Sequence, residues 1–334
     1  MSYLYVVEQG STIGFHGNRF EVKYKDGMLR SIPSETLEVI EVFGKVQLTT
    51  QCIQECMKRG INIIFYSTYG AYFGRLQSSN HVNVARQKQQ MTVCQNEELK
   101  LDFSKKIINA KIKNQLVILQ RYSKNTRDDV QQQINGIKQM RRKIDDAETI
   151  NQLIGYEGQA AKHYFAALGK LVNPEFAFHK RTRRPPMDPF NSMLSLGYSI
   201  ILNEIYGKLE GKGLNPYFGL LHRDRENHPT LASDLMEEWR AVLVDSTVLA
   251  MTNGNEVSPE DFYSDNEQPG IFLNKDFFKK FVKKLESKFQ ADNKYLDYID
   301  YRVSFRRALD LQVNQLVKMI ESENVEEYHP VMIR

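Results

Sequence analysis

The sequence is poor in cysteine and has no long apolar run. Three cysteines, Cys52, Cys56 and Cys94, occur in 334 residues. They are too few for a disulfide framework, and the Cys52/Cys56 pair has no second pair to complete a zinc site. We therefore expect reduced core cysteines. Because no apolar run approaches the ~18 residues that span a bilayer and the N-terminus has no signal-peptide pattern, we expect a cytoplasmic protein without a membrane partner.

Charge is nearly balanced over the whole chain but is unevenly distributed along it. The formal net charge is +4. Residues 76–215 contain 22 basic and 13 acidic residues, whereas residues 216–334 contain 15 basic and 21 acidic residues. This polarity favours a polyanion held by the middle of the chain and cations collected by the last third. Chance variation between helical surfaces is the alternative.

Short segments rich in β-branched and aromatic residues, separated by glycine turns, make up the first part of the chain. Asp26-Gly27 is typical of a tight hairpin turn, and Thr50 to Arg59 has helical spacing that ends at Gly60. The predicted strands are Leu4–Val7, Thr12–Phe15, Phe20–Tyr24, Val46–Leu48 and Ile61–Tyr66.

Helical periodicity dominates after a polar linker at Ser78–Asn80, and the first helix is expected near Asn83. Residues 253–270, with Gly254, Pro259 and several acids, suggest an exposed loop. The sequence thus predicts an α+β protein. Its parts are a small N-terminal β domain at residues 1–77 and a larger, mostly α-helical domain at residues 78–334.

Three separated segments offer oxygen and imidazole ligands. Glu157 lies in a helical segment with small neighbours such as Gly158, which would admit a second helix and leave the carboxylate partly buried. His222 follows an apolar stretch, and Asp234 and Glu237 lie three residues apart on one helical face. Such a set suits a hard divalent cation with open positions for water and substrate. The alternatives are a surface ion pair, a structural histidine and solvated acids.

A basic loop lies between these segments in sequence. Arginine forks grip phosphate oxygens in pairs, and prolines hold a loop for that contact at low entropic cost. A phosphate polymer is therefore the expected substrate, and a solvated charge run is the alternative. The candidate phosphate-binding residues, which precede Pro185-Pro186, are Lys180, Arg181, Arg183 and Arg184.

Two further features flank the basic loop. Asp188 and Asn191, on either side of Pro189, are expected to cap a helix that runs through Ser192 to Leu209. Lysines on an earlier helical stretch are weaker candidates for extending the phosphate contacts, because a single lysine indicates little. They are Lys105, Lys106, Lys111 and Lys113.

Taken in this order, the segments resemble the CRISPR-associated integrase family, metal-dependent DNA endonucleases that insert new spacers during adaptation. The resemblance runs from residues 39–49 to residues 305–309 and is most specific around Glu157 and at residues 183–199. It implies that Glu157 is a metal ligand. It also implies that His222, which closes a Gly-Leu-(Leu/Phe)-His type segment, is the ligand histidine in preference to His228.

The resemblance assigns the two acids as well. In the family pattern Asp-Leu-x-(Glu/Asp)-x-x-Arg the later carboxylate binds the metal and the earlier one assists, which gives these roles to Glu237 and Asp234. All four residues are therefore catalytic candidates, with Glu157, His222 and Glu237 as metal ligands. The ion would be Mg²⁺ or Mn²⁺, and an imidazole ligand suits Mn²⁺ better.

The implied reaction joins the 3′-hydroxyl ends of short foreign DNA to the ends of a CRISPR repeat by transesterification. The implied partners are double-stranded DNA, a second copy of the chain joined through the β domain, and a small ferredoxin-like subunit of the adaptation complex. The main alternative is a helical nucleic-acid-binding module without catalysis. A hydrolase of small phosphate esters would leave the basic surface unexplained.

Overall fold

The computed structural model describes residues 2–124, 129–265 and 269–334. The chain forms two compact units, residues 1–81 and residues 82–334. The first unit is rich in strands and the second is mostly helical, so the predicted α+β class is confirmed. Within the described ranges, no helix has both the length and the apolar character needed to cross a bilayer.

Two four-stranded sheets, one α-helix and a short 3-10 helix (Ser34–Thr36) form the first unit. The strands and the α-helix are β1 (Ser2–Val6), β2 (Thr12–His16), β3 (Arg19–Lys23), β4 (Leu29–Pro33), β5 (Leu37–Phe43), β6 (Gln47–Leu48), α1 (Thr50–Arg59), β7 (Asn62–Tyr66) and β8 (Tyr72–Leu76). One sheet has the order β1-β5-β7-β8, with β1, β5 and β7 parallel, and the other has the order β4-β3-β2-β6. Apolar side chains such as Ile13, Phe20 and Val42 form the core of the unit together with Cys52 and Cys56.

The predicted helix at Thr50 to Arg59 is confirmed in this unit. Helix α1 begins after Thr49, whose hydroxyl accepts a hydrogen bond from the amide of Cys52, and it ends at Gly60 in the left-handed region (φ 69°). Asp26-Gly27 lies in the β3–β4 hairpin, although the connection has five residues rather than two. Strands β4, β5 and β8 were not predicted.

Nine α-helices, a π-helical turn, three short 3-10 helices and two short strand pairs make up the described part of the second unit. The helices are α2 (Val84–Gln95), α3 (Glu97–Ser123), α4 (Gln131–Arg142), α5 (Ile150–Leu171), α6 (Pro189–Gly211), α7 (Thr230–Met236), a π-helical turn (Arg240–Asp245), α8 (Ser246–Asn253), α9 (Lys275–Gln290) and α10 (Phe305–Ser322). The strands are β9 (Phe262–Ser264), β10 (Ile271–Leu273), β11 (Asp292–Asn293) and β12 (Val303–Ser304).

Two expectations about this unit have different outcomes. The cap of α6 is confirmed, because the Asp188 carboxylate accepts a hydrogen bond from the amide of Asn191 at 2.8 Å. The expectation that residues 253–270 form only a loop is wrong. Phe262–Ser264 is a strand paired antiparallel with Ile271–Leu273, although residues 266–268 of the segment lie outside the described residues.

The prediction of buried cysteines holds fully for Cys52 and Cys56, whereas Cys94 is only partly buried.

The C-terminal segment is held by Glu238, a fully buried residue just after α7. Its carboxylate accepts hydrogen bonds from the Tyr328 hydroxyl at 2.5 Å and the Val331 amide at 2.6 Å. The Gln312 amide group lies 3.3 Å from the same carboxylate. One side chain therefore satisfies several buried donors of a segment far away in sequence.

We expect Glu238→Ala to lower the free energy of unfolding of the second unit by about 3 kcal/mol, since each buried donor left without an acceptor costs about 1–3 kcal/mol. Urea unfolding followed by the fluorescence of Trp239, the single tryptophan of the chain, measures this unit. Glu327→Ala, an exposed carboxylate in the same segment, is the matched control. Equal unfolding midpoints for the two variants would contradict the assignment.

Candidate metal and DNA site

Glu157 lies in the second turn of α5, a helix that begins after Thr149, whose hydroxyl accepts from the amide of Gln152. Its side chain is 19% exposed, so the expected partial burial is confirmed. The expected approach of another helix is also confirmed, because α3 and α4 pack against α5 and Ala160 is fully buried. Gly158 itself is not at this contact, since a Cβ built there would meet no described heavy atom within 4 Å.

The partner of Glu157 is Lys111, from the middle of α3. The Lys111 ammonium nitrogen lies 2.5 Å from Glu157 Oε1 and 2.5 Å from Glu237 Oε2. Two carboxylates that are 80 residues apart in sequence thus meet at one positive charge. Burial of Lys111 acts to lower its pKa, but the charges of Glu237 and Glu157 outweigh burial and raise the pKa above its ordinary value.

Glu237 is buried at the junction between α7 and the π-helical turn. Its Oε1 lies 3.0 Å from the guanidinium of Arg240, while Oε2 faces Lys111. Burial alone would raise the pKa of Glu237, but Arg240 and Lys111 hold it well below the ordinary value. The residue is therefore an ionised, buried carboxylate and not an acid on a solvated face.

Asp234, one turn earlier, points to a different partner. It is fully buried, and its carboxylate accepts hydrogen bonds from the backbone amides of Leu220, Leu221 and His222 at 2.8, 2.9 and 3.2 Å. Gly219 makes this close approach feasible, because a Cβ there would lie 2.3 Å from Thr230 Cγ2 and 3.0 Å from Asp234 Oδ2. Asp234 thus shapes the loop that carries His222.

Asp234 also orients the imidazole of His222. Its Oδ1 lies 2.7 Å from His222 Nδ1. Because an ionised carboxylate only accepts hydrogen bonds, Nδ1 carries the proton and Nε2 keeps its lone pair. This hydrogen bond raises the pKa of His222 above its ordinary value, although burial acts in the opposite direction. The His222 side chain remains 37% exposed.

His228 has a separate environment. Its Nε2 lies 3.1 Å from the hydroxyl of Ser233, and burial lowers its pKa. It sits just before Pro229 at the start of α7. The structure therefore places the two histidines differently: His222 is paired with Asp234, and His228 with a neutral hydroxyl.

Glu157 and Glu237 are the residues that best fit a divalent cation. Within the described residues, no three histidine, cysteine or carboxylate side chains converge on one point. Glu157 and Glu237 nevertheless converge on the Lys111 ammonium, and Glu237 Oε2 is a buried oxygen that accepts no hydrogen bond of normal geometry there. A buried, ionised oxygen of this kind is suited to a metal. The two carboxylates are hard oxygen ligands of the type that Mg²⁺ and Mn²⁺ take, and an imidazole nitrogen would suit Mn²⁺.

The basic loop that precedes α6 is held from inside by Asn191. The Asn191 side chain donates to the Lys180 carbonyl at 2.9 Å and accepts from the Thr182 amide at 3.2 Å and from Arg181 Nη1 at 2.9 Å. Arg181 points inward and is also bonded to Ser195 Oγ at 3.0 Å. Of the four predicted phosphate contacts, the structure exposes Lys180, Arg183 and Arg184.

Tyr198 of α6 connects this loop to the acidic residues. The guanidinium of Arg181 lies 5.4 Å from the centre of its ring, and that of Arg240 lies 4.9 Å from it. Its hydroxyl donates to Asp245 at 2.5 Å. Arg240 in turn pairs with Glu237. A continuous set of contacts therefore leads from the basic loop to a candidate metal ligand.

Sequence reasoning missed the roles of Lys111, Arg240 and Tyr198. Lys111 was grouped with three lysines that could follow a phosphate backbone. Instead, Lys105 and Lys106 donate to the carbonyls of Asp145 and Val325, and Lys111 lies between two acids. A signal was present in the periodicity of α3, because Lys111 is in register with its buried positions, which include Ser104, Ile107, Ile108 and Gln115.

The comparisons with known proteins identify the family. The family model described as CRISPR associated protein Cas1 matches residues 4–287. The chain belongs to the Cas1 family. A CRISPR-associated endonuclease Cas1 of Mycobacterium tuberculosis is 36% identical over 322 residues, which cover 96% of this chain and 95% of that protein.

Solved structures show the same fold. A chain of a Cas6-RT-Cas1–Cas2 complex has a TM-score of 0.85 and 25% identity; the match covers all of this chain but 36% of that longer chain. A Cas1 protein from Thermotoga maritima has a TM-score of 0.82 and 23% identity over the full length of both chains. The strand-rich unit followed by the helical unit is thus the arrangement of Cas1 structures.

Proposed function

We propose that this Cas1-family chain is a metal-dependent DNA endonuclease and integrase of CRISPR adaptation. It would join the 3′-hydroxyl ends of short foreign DNA to the ends of a CRISPR repeat by transesterification. The observation that carries the proposal is the convergence of Glu157 and Glu237 on one cationic position, where the buried Glu237 Oε2 lies 2.5 Å from the Lys111 ammonium. The endonuclease name of the Mycobacterium relative supports it.

The metal ligands in this proposal are Glu157, Glu237 and Nε2 of His222. Mg²⁺ or Mn²⁺ bound there would supply Lewis-acid activation of the attacking hydroxyl and neutralise charge on the reacting phosphate. Asp234 positions His222 through the Nδ1 hydrogen bond and three backbone amides, and it does not itself bind the metal.

The exposed side chains of Lys180, Arg183 and Arg184 bind DNA phosphates in this proposal, because guanidinium groups match phosphate oxygens in pairs. Arg181 keeps the loop against Tyr198 and Asn191. Water in place of the 3′-hydroxyl would give nicking, and reversal of integration would use the same residues.

The proposed partners are double-stranded DNA from the prespacer and the repeat, a second copy of the chain and a small ferredoxin-like subunit. The first unit, with its two sheets, is the proposed surface of the homodimer. The partner subunit is supported by the Cas6-RT-Cas1–Cas2 complex, whose name includes Cas2.

A strand-transfer assay tests the function. A labelled short duplex and a supercoiled plasmid are incubated with the protein in EDTA, Mg²⁺ or Mn²⁺. We expect label to join the plasmid with either metal and not in EDTA. Binding of the duplex without joining or nicking under every condition would favour the non-catalytic module, and activity on small phosphate esters alone would favour the hydrolase.

Replacing Arg183 and Arg184 with Ala should weaken DNA binding with little regard to sequence. Each lost phosphate contact lowers the slope of log affinity against log salt by roughly 0.9 on duplex DNA. Fluorescence anisotropy between 50 and 200 mM salt, an interval of roughly fourfold, gives the slope. Arg302→Ala, another exposed arginine, is the control. An unchanged slope would give the two arginines a structural role.

A further inference from the structure

Lys111 occupies the position that a cation would take between two acids. Its ammonium lies 2.5 Å from an oxygen of Glu157 and 2.5 Å from an oxygen of Glu237. The Lys111 side chain is 10% exposed, and the Glu237 side chain is 6% exposed. A buried ammonium in contact with two carboxylates is a local counter-ion of the pair.

The charges of this cluster are already balanced. Glu157 and Glu237 contribute two negative charges, and Lys111 and Arg240, which pairs with Glu237 at 3.0 Å, contribute two positive charges. A divalent cation on the same carboxylate oxygens would leave an excess of two positive charges in a buried place. Either the ammonium withdraws or further negative charge enters.

We propose that Lys111 is an intrinsic counter-ion that competes with the divalent metal for Glu157 and Glu237, so that the metal binds tightly only when DNA phosphates supply the missing negative charge. The proposal rests on the proposed function of these two carboxylates as metal ligands. Metal and DNA would then raise each other's affinity by the same factor, because coupling between two binding equilibria is reciprocal. The protein without DNA would hold its metal weakly.

The chemistry of the Lys111 side chain agrees with this coupling. Lysine suits the role better than arginine, because it is a compact point charge on a flexible stem. Arg240, stacked on Tyr198, is held more firmly.

The test is a calorimetric titration of Mn²⁺ into the full chain, with and without a short duplex that carries 3′-dideoxy ends and therefore cannot react. The variants are Lys111→Met, which keeps the stem and removes the charge, and Lys113→Met as the matched control. Lys113 lies about 200° further round α3 and is partly exposed. Glu157→Ala reports whether the bound ion uses the proposed ligands.

We expect Lys111→Met to bind Mn²⁺ roughly tenfold more tightly than wild type without DNA, because a like charge next to the ion is removed. The gain in affinity on adding DNA should shrink in Lys111→Met and remain in Lys113→Met. Unchanged or weaker Mn²⁺ binding by Lys111→Met would overturn the proposal. If wild type binds Mn²⁺ and Glu157→Ala does not, Glu157 is supported as a metal ligand even when competition by Lys111 has been refuted.

The thermal stability of Lys111→Met also tests the proposal. Without the ammonium, Glu157 and Glu237 repel each other, so Lys111→Met should melt at a lower temperature than wild type and regain stability in Mn²⁺ more than Lys113→Met does. If Lys111→Met does not fold, refolding in the presence of Mn²⁺ and the variant Lys111→Gln test the same replacement. Failure of Mn²⁺ to restore either variant would overturn the proposal.

Discussion

Glu157→Ala is expected to abolish strand transfer and nicking while leaving the folded protein and most DNA binding intact. The carboxylate shares one cationic position with Glu237 and is a proposed metal ligand, and loss of metal stabilisation is worth several kcal/mol in the transition state, a rate reduction of at least roughly a hundredfold. Affinity for DNA measured in EDTA, where the coupling to the metal does not contribute, comes mainly from phosphate contacts elsewhere and should change little.

Both properties are measured on one preparation, by strand transfer to a supercoiled plasmid and by anisotropy with a labelled duplex. Glu148→Ala is the control, because Glu148 is an exposed carboxylate just before the same helix. Thermal melting of each variant establishes that the fold is retained. Residual cleavage above about a tenth of wild type would remove Glu157 from the metal site, since loss of a true ligand costs more than tenfold.

His222→Ala should lose Mn²⁺ binding and strand transfer, whereas His228→Ala should keep most of both. The reason is the partner of each ring. His222 donates Nδ1–H to the buried Asp234 and leaves Nε2 for a metal, while Nε2 of His228 is engaged with the hydroxyl of Ser233. Removal of one of the three proposed metal ligands should reduce the rate by roughly a hundredfold or more.

The two histidine variants are each other's matched control, because they lie six residues apart in one charged segment. Calorimetric titration with Mn²⁺ and the strand-transfer assay run in parallel separate metal binding from catalysis. An inactive His228→Ala with an active His222→Ala would refute this assignment. The role of Asp234 as the residue that orients the ligand histidine would then be wrong as well.

Signals from residues close together in sequence correctly predicted the end of α1 and the start of α6. Helix α1 ends at Gly60 because a left-handed residue closes the last turn, and α6 begins at the Asp188 cap. Strands β4, β5 and β8 were missed. Strands β4 and β8 contain no fully buried residue and become strands by pairing with a partner in their sheet, which leaves a weak pattern in each segment. Strand β5 is different, because its β-branched and aromatic residues form a strong local signal that was overlooked.

For Asp234 and Glu237, too, the sequence predicted only part of the structure. Spacing correctly placed Asp234 and Glu237 one turn apart, but it gave no reason for their different surroundings. Asp234 accepts hydrogen bonds from a loop that starts more than ten residues earlier, whereas Glu237 faces Lys111 and Arg240. Two positions on one helical face can therefore have separate roles when different elements pack against them.

By itself the sequence determined the α+β class, the family and the residue types that offer metal ligands and phosphate contacts, because these depend on composition and on motifs of a few neighbouring residues. Only the tertiary structure placed the Lys111 ammonium between Glu157 and Glu237 and buried Asp234 under the His222 loop. Those contacts join segments far apart in the chain. The energy of a buried charge depends on what surrounds it in space, which neighbours in sequence do not specify.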